Sequence, residues 1–347
     1  MFILVHILYK YFMITPSKLK NILPTSKVIK NFVLKSRKII KNIINGKDSR
    51  LLVICGPCSI HEIKSAIDYG IRLKFLSEKL NNKLYIIMRV YLEKSRTVNG
   101  WKGLINDPYI NQSCDIESGL FIARNLLLTL LRLKLPLATE ILSINNYQYI
   151  NDLISWGAIG ARTVESQIHR EIVSGIPIPV GFKNNTDGDI MKAINAIKVS
   201  RLKHSFININ QHGKITIVNT NGNYNSHIIL RGGKTPNYYD SNINFCKQQM
   251  INFNLPAKLL VDCSHGNASN NYLNQLKVAR SIITQINNND RDIIGIMLES
   301  NINSGNQKLT LPKYLKYGVS ITDPCINWDT THKILFEIYK NLSFKNN

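Results

Sequence analysis

Acidic side chains are scarce in this sequence. Aspartate and glutamate together number 22, against 44 lysines and arginines, which gives a net charge of +22. Such an excess is common in proteins that bind nucleic acids. Here the lysines are spread over the whole chain, and no stretch alternates basic with aromatic residues along one element. We therefore expect neither nucleic acid nor a membrane surface as a partner.

Long apolar runs and regularly spaced cysteines are also missing. The apolar N-terminal stretch, residues 1–14, is interrupted by Lys10 and is far shorter than the ~20 residues of a membrane span. It also lacks the small-residue cleavage site of a signal peptide. The six cysteines lie in apolar stretches without framework spacing. Reduced thiols of this kind are typical of the cytosol, so we expect a cytoplasmic protein without disulfides.

Short apolar, β-branched runs alternate with longer amphipathic stretches along the chain. This alternation predicts parallel strands connected by helices. We expect an α/β fold, a closed (β/α)8 TIM barrel, with an open doubly wound sheet as the alternative. Residues 46–347 are predicted to form this catalytic barrel, and residues 1–45 an N-terminal arm. The eight predicted strands cover residues 51–59, 84–91, 135–142, 159–166, 179–184, 204–210, 258–265 and 293–300.

One stretch departs from this rhythm. Residues 213–233 contain two alternating runs around Asn221-Gly222, and the Asn-Gly dipeptide favours tight hairpin turns. We therefore expect a β-hairpin inserted after the sixth strand of the barrel.

Reactive side chains follow the apolar part of several predicted strands. In a closed barrel the carboxyl ends of all strands open on one face, where active sites are built. Cys58, His265 and Glu299 fall at three of these ends, and Asp323 follows in a later loop. A thiolate, an imidazole and two carboxylates suit a divalent transition ion better than calcium or magnesium.

The same face is predicted to carry several cations. Arg89, Arg162 and Lys183 directly follow apolar strand residues, where a charge is costly unless it meets an anion. Convergent cations indicate a polyanionic, phosphorylated substrate. The remaining candidates are Lys94, Arg96, Lys102 and Arg231.

These residues lie in a series of longer motifs: GPCSIH, MRVYLEK, GWKGLINDP, SWGAIGARTVESQIHRE, HIILRGGK and YGVSITDPCINW. In order and spacing, from about Pro16 to Trp328, they resemble the 3-deoxy-D-arabino-heptulosonate 7-phosphate synthases of the bacterial and fungal type. The resemblance implies a homodimeric or homotetrameric barrel enzyme. It implies condensation of phosphoenolpyruvate with erythrose 4-phosphate, the first step of the shikimate pathway. It also implies one divalent metal ion: Mn, Fe, Zn or Co.

The resemblance further implies roles for single residues. The metal ligands are expected to be Cys58, His265, Glu299 and Asp323. The phosphoenolpyruvate contacts are expected to be Arg89, Lys94, Lys102, Arg162, Lys183 and Arg231. The phosphate of the sugar is expected to meet Lys94, Arg96 and Thr97. The residues closest to the chemistry are expected to be Lys94, Arg96 and His265.

Three positions at this site depart from the family pattern. Ser95 replaces a proline, which should loosen the loop and weaken affinity for the sugar phosphate. Cys55 replaces an aliphatic residue, and the resulting Cys55-Gly-Pro-Cys58 has the spacing of a thiol–disulfide exchange motif, so a redox function is the alternative. Cys263, two residues before His265, is expected on the same side of its strand, where it could offer an additional thiolate.

Feedback inhibition by an aromatic amino acid is typical of the family, but the effector is uncertain here. Ser143 and Tyr147 stand in the segment where the family has an aspartate and a proline, and Pro177 and Asn208 replace two serines. Loss of an acidic partner for an amino group weakens effector binding. We therefore expect reduced or absent feedback control.

Overall fold

Eight parallel strands close on one another in a ring. The computed structural model describes residues 12–96, 100–269 and 271–343. Around the ring the order is β1, β2, β3, β4, β5, β8, β9 and β10, and β10 pairs with β1 to close it. The barrel strands are β1 (Leu51–Gly56), β2 (Leu84–Arg89), β3 (Leu137–Glu140), β4 (Trp156–Ile159), β5 (Val180–Lys183), β8 (Ser226–Leu230), β9 (Leu259–Asp262) and β10 (Ile293–Glu299). The expected (β/α)8 barrel is therefore confirmed.

Helices connect the strands, and polar side chains directly before their first residues define where several of them begin. The side chain of Asp115 accepts a hydrogen bond from the Ser118 amide at 3.1 Å, and Asn327 does the same for the Thr330 amide at 2.9 Å. The helices are α1 (Pro16–Ile22), α2 (Lys27–Ile44), α3 (Ile63–Lys79), α4 (Ile116–Arg132), α5 (Ile144–Tyr147), α6 (Gln167–Gly175), α7 (Ile190–Ser200), α8 (Asp240–Asn252), α9 (Gln275–Asn287) and α10 (Trp328–Asn341). Among the described residues, no helix is long and apolar enough to span a bilayer.

The last turn of α2 packs against the apolar interior of the barrel. Ile40, Ile43 and Ile44 belong to one buried cluster with interior residues such as Leu52 and Trp156. A second and larger apolar cluster fills the layer between the strands and the surrounding helices. The N-terminal helices thus share a core with the barrel, while the division at residues 45 and 46 stays a prediction.

The inserted hairpin is present, but it follows the fifth barrel strand and not the sixth. Its strands β6 (Ser205–Ile209) and β7 (Ile215–Asn219) pair only with each other, in antiparallel register. The sixth barrel strand is β8, every residue of which is buried, whereas β6 alternates between exposed and more buried residues. The expected barrel strand 204–210 and the expected turn at Asn221-Gly222 are therefore wrong. An alternating pattern marks a strand with one solvated face, which suits a surface hairpin.

The fourth strand also begins earlier than expected. It runs from Trp156 to Ile159 and not from 159 to 166. After Gly160 the chain forms turns in which the Thr163 and Val164 amides donate to the Gly160 carbonyl. Arg162 consequently lies in a loop beyond the strand end.

His227 of β8 lies fully buried inside the barrel beside Trp156. The indole nitrogen of Trp156 can only donate, so Nε2 of His227 accepts this 3.2 Å hydrogen bond and must be unprotonated. Nδ1 then carries the proton and faces the Asn225 carbonyl at 3.3 Å. Burial lowers the pKa of His227 to about 4.

This histidine should make folding stability depend on pH. An unfolded histidine has a pKa of about 6.5, so between roughly pH 6.5 and 4 the unfolded chain binds more protons than the folded chain. The free energy of unfolding should fall by about 3 kcal/mol as pH decreases through this interval. His227→Gln should remove that component in denaturant titrations, whereas His332→Gln, at an exposed position, should retain it. Parallel pH profiles for all three proteins would contradict this prediction.

Candidate active site

The carboxyl ends of the barrel strands surround a cavity of about 150 Å³. It lies on the face predicted from the sequence, because β2 and β5 end at lining residues and Glu140, which ends β3, also lines it. Five of the predicted substrate cations line this cavity, together with His265 and Asp323. The five are Arg89, Lys94, Arg162, Lys183 and Arg231.

Three of the four predicted metal ligands converge beside this cavity. One ligand-type atom from each of Cys58, Glu299 and Asp323 lies within 4.8 Å of the others. Nε2 of His265 lies 3.6 Å from Oε1 of Glu299, so the fourth residue is adjacent to the group. Cys58 and Glu299 are buried, whereas the side chain of Asp323 is half exposed.

The ammonium group of Lys94 contacts two members of this group. It donates to Sγ of Cys58 at 2.8 Å and to Oδ2 of Asp323 at 2.9 Å. Burial alone would lower the pKa of Lys94, but Cys58, Asp323 and Glu299 raise it. A cation thus already lies between the sulfur and the carboxylate, which shows that this donor set attracts positive charge. A soft sulfur with hard oxygens and an imidazole fits a divalent transition ion.

Arg89 lies almost completely buried next to the same group. Its Nη2 donates to Oε1 of Glu299 at 2.8 Å and to the Cys58 carbonyl at 3.2 Å. Its Cζ lies 3.5 Å from the centroid of the Tyr91 ring. Burial would raise the pKa of Glu299, but His265 and Arg89 together lower it. Glu299 therefore compensates the buried charge of Arg89.

Asp262, the last residue of β9, is a site residue to which the sequence analysis assigned no role. Its fully buried carboxylate accepts from Nζ of Lys183 at 2.7 Å and lies 2.9 Å from Nδ1 of His265. Burial would raise the pKa of Asp262, but Lys183 and His265 hold it well below its usual range. With Nδ1 engaged by Asp262, His265 presents Nε2 towards Glu299. The signal in the sequence was an aspartate that ends an apolar strand three residues before a histidine.

The remaining predicted substrate cations are exposed or half-buried. Arg162 is exposed at the cavity wall, and Arg231 is half-buried with its amide bonded to Oδ1 of Asn184 at 2.8 Å. Lys102 is exposed, and its carbonyl accepts from the Lys94 amide at 2.9 Å. Arg96 is exposed and does not line the cavity as described. Thr97 lies outside the described residues.

The two unusual cysteines do not join the group of metal-type side chains. Cys55 and Cys263 are buried in the apolar layer between strands and helices. Strand β9 ends at Asp262, and His265 has a φ of 53°, so strand alternation does not extend from Cys263 to His265. The expectation that they share a side is therefore wrong.

The geometry also opposes the redox alternative. Cys55 and Cys58 are both free and fully buried. Burial raises the pKa of each thiol to about 12. Thiols that exchange disulfides are partly exposed and have lowered pKa values.

The fold and site define a class: a (β/α)8-barrel enzyme with a cation-lined cavity beside a cluster of metal-type ligands. Comparison with known proteins narrows the class. The chain belongs to the DAHP synthetase I family, whose model matches residues 25–336.

Individual relatives match over almost the whole chain. The Tyr-sensitive phospho-2-dehydro-3-deoxyheptonate aldolase of Escherichia coli K12 is 50% identical over 340 residues, which cover 98% of this chain and 96% of that protein. The Trp-sensitive aldolase of Enterobacter agglomerans is 47% identical over 323 residues, 93% of each chain. A solved structure of the aldolase from Francisella tularensis SCHU S4 has a TM-score of 0.95 at 42% identity, covering 99% of this chain and 100% of that one.

The buried pair of Arg89 and Glu299 gives a direct test of the site's electrostatics. Glu299→Gln removes the carboxylate that pairs with the guanidinium, and loss of one partner of a buried pair costs about 3–5 kcal/mol. Chemical denaturation should therefore show a large fall in the free energy of unfolding. Glu337→Gln is the matched control, because its partner Arg280 is well exposed, and it should leave stability essentially unchanged. Equal effects of the two substitutions would contradict the prediction.

Proposed function

We propose that the cation-lined cavity condenses phosphoenolpyruvate with D-erythrose 4-phosphate to 3-deoxy-D-arabino-heptulosonate 7-phosphate and inorganic phosphate. This reaction is the first step of the shikimate pathway, and the chain is accordingly a transferase of aromatic amino acid biosynthesis. The observation that carries the proposal is 50% identity over 98% of the chain to an aldolase named for this product. Five cations around one small cavity support it, because both substrates are phosphorylated.

The cations bring together two anions that repel each other in solution. In the proposed arrangement the phosphoenolpyruvate contacts are Arg89, Lys94, Lys102, Arg162, Lys183 and Arg231. Lys94, Arg96 and Thr97 receive the phosphate of the sugar. Lys94 is common to both sets and stays protonated, so it can orient the two substrates relative to each other. Carbon C3 of phosphoenolpyruvate attacks the aldehyde carbon, water adds at C2, and phosphate leaves.

Cys58, His265, Glu299 and Asp323 are the proposed ligands of one divalent ion, for which Mn, Fe, Zn and Co all suit the donor set. A bound ion supplies a Lewis acid for the aldehyde carbonyl. Burial raises the pKa of the Cys58 thiol to about 12. The thiol must lose its proton to become a ligand, so metal affinity should increase with pH.

Chelation tests the reaction and the metal together. Consumption of phosphoenolpyruvate, followed with erythrose 4-phosphate present, should fall by about 100-fold or more after treatment with a chelator, because the carbonyl loses its Lewis acid. Manganese should restore the rate, and magnesium should restore less of it because the set contains a thiolate.

Two results would count against the proposal in different ways. Activity that survives complete removal of metal would refute the metal site. No consumption in the metal-loaded protein would refute the reaction itself.

A second cavity, of about 350 Å³, contains three of the residues that depart from the family's effector positions: Tyr147, Pro177 and Asn208. Among its described lining residues the only carboxylate belongs to Asp152. That carboxylate is already bonded to Arg124 at 2.8 Å. The ammonium group of an amino acid therefore finds no free counter-charge there. We infer that feedback control is reduced or absent.

Inhibition assays check this inference. Phenylalanine, tyrosine and tryptophan, each at sub-millimolar concentration, should leave the rate of phosphoenolpyruvate consumption unchanged. The relatives above, which are named for sensitivity to tyrosine or tryptophan, provide the positive control. Inhibition of this chain at such concentrations would overturn the inference.

The homodimeric or homotetrameric state and the cytoplasmic location stay predictions.

A further inference from the structure

Tyr91 follows β2 and lies two residues after Arg89. It is one of the residues that line the cation-lined cavity, together with Lys94 and Lys183, and only 1% of it is exposed. The guanidinium of Arg89 lies over its ring at 3.5 Å from the centroid. Packing and the cation–π contact therefore fix the ring in one place.

The hydroxyl of Tyr91 is buried and has no hydrogen-bond partner among the described residues. Buried hydroxyl groups are almost always bonded, because an unsatisfied one keeps the full cost of leaving water. Burial raises the pKa of Tyr91 above its ordinary value, although the charge of Arg89 acts to lower it. The group therefore remains a neutral hydroxyl that can donate a hydrogen bond. It belongs to a residue that lines the cation-lined cavity.

We propose that the Tyr91 hydroxyl donates a hydrogen bond to an anionic oxygen of bound phosphoenolpyruvate and is thus a further substrate-contacting residue. This proposal rests on the proposed function. Phosphoenolpyruvate is favoured over the sugar phosphate by the neighbours of Tyr91. Arg89, Lys94 and Lys183, which share its cavity, are among the proposed contacts of phosphoenolpyruvate. Arg96, a proposed contact of the sugar phosphate, is not among the described residues that line this cavity.

The Tyr91 hydroxyl has no hydrogen-bond partner among the described residues. This distinguishes a substrate-binding role from a role in holding the protein together. Tyr91→Phe keeps the ring beneath Arg89 and removes only the hydroxyl. Since that hydroxyl bonds to none of the described residues, its removal should not destabilise the ligand-free protein. A hydroxyl that holds the cavity together would instead lower stability when removed.

Tyr147 offers a matched control. It is 6% exposed, and its hydroxyl also has no partner among the described residues. It lines the separate cavity beside α5 and not the catalytic one. Tyr147→Phe therefore makes the same chemical change at similar burial, away from the proposed reaction.

The experiment compares wild type, Tyr91→Phe and Tyr147→Phe in the manganese-loaded full chain. Calorimetry should show phosphoenolpyruvate binding to Tyr91→Phe about 10- to 100-fold more weakly, as expected for loss of a hydrogen bond to a charged group. The KM for phosphoenolpyruvate should rise accordingly, while the KM for erythrose 4-phosphate stays within about twofold. The thermal midpoint without substrate should not fall. Tyr147→Phe should match wild type in all of these measurements.

Two outcomes would overturn the inference. Unchanged phosphoenolpyruvate affinity in Tyr91→Phe would show that the hydroxyl does not meet this substrate. A lowered thermal midpoint in Tyr91→Phe, with or without weaker binding, would assign the hydroxyl a structural role. Failure of the proposed function is distinguishable, because the wild-type protein itself would then not consume phosphoenolpyruvate in the presence of erythrose 4-phosphate.

Discussion

Pairing of cations with carboxylates at one end of the barrel is the constraint on which the site depends. Glu299 compensates Arg89, and Asp262 compensates Lys183. Both pairs are buried, and an unpaired charge at that depth would cost several kcal/mol. Asp262 also bonds His265, and Glu299 is a proposed metal ligand. The same carboxylates therefore support both the substrate cations and the proposed metal group. Binding of substrate to the cations is thus electrostatically linked to binding of an ion at the metal group.

The barrel makes this arrangement possible because its interior is divided into an apolar part and a charged part. The last turn of α2 packs with apolar strand residues such as Leu52 and Trp156. The charged groups follow the carboxyl ends of the strands, where short loops can approach one another. The hydrogen-bonded strands fix the backbone position of each charged side chain. Strand β10 pairs with both β1 and β9, and this pairing places Glu299 close in register to Gly56 and Asp262. Apolar burial thus stabilises the scaffold, and the scaffold holds the charges in place.

The sequence predicted the parts of this structure that depend on local pattern. Buried strands with a polar side chain at the carboxyl end identified the barrel, its active face and candidates such as Cys58, Lys183 and Glu299. It failed where a local pattern fits two environments, as for residues 204–210, which have strand periodicity but form a surface hairpin. The sequence analysis also missed the role of Asp262. This aspartate bonds to a lysine and to a histidine that the fold brings next to it, and its position at a strand end does not by itself predict those contacts.

Lys94 links these charges most directly, because its ammonium bonds to two of the four proposed metal ligands. An ion that bound the same sulfur and carboxylate would compete with that ammonium, because both carry positive charge. The same ammonium belongs to a residue of the cavity, where Arg89 and Lys183 already have carboxylate partners. Lys94 is therefore the residue at which the proposed metal group and the proposed substrate contacts meet, because it bonds to Cys58 and Asp323 and also lines the cavity.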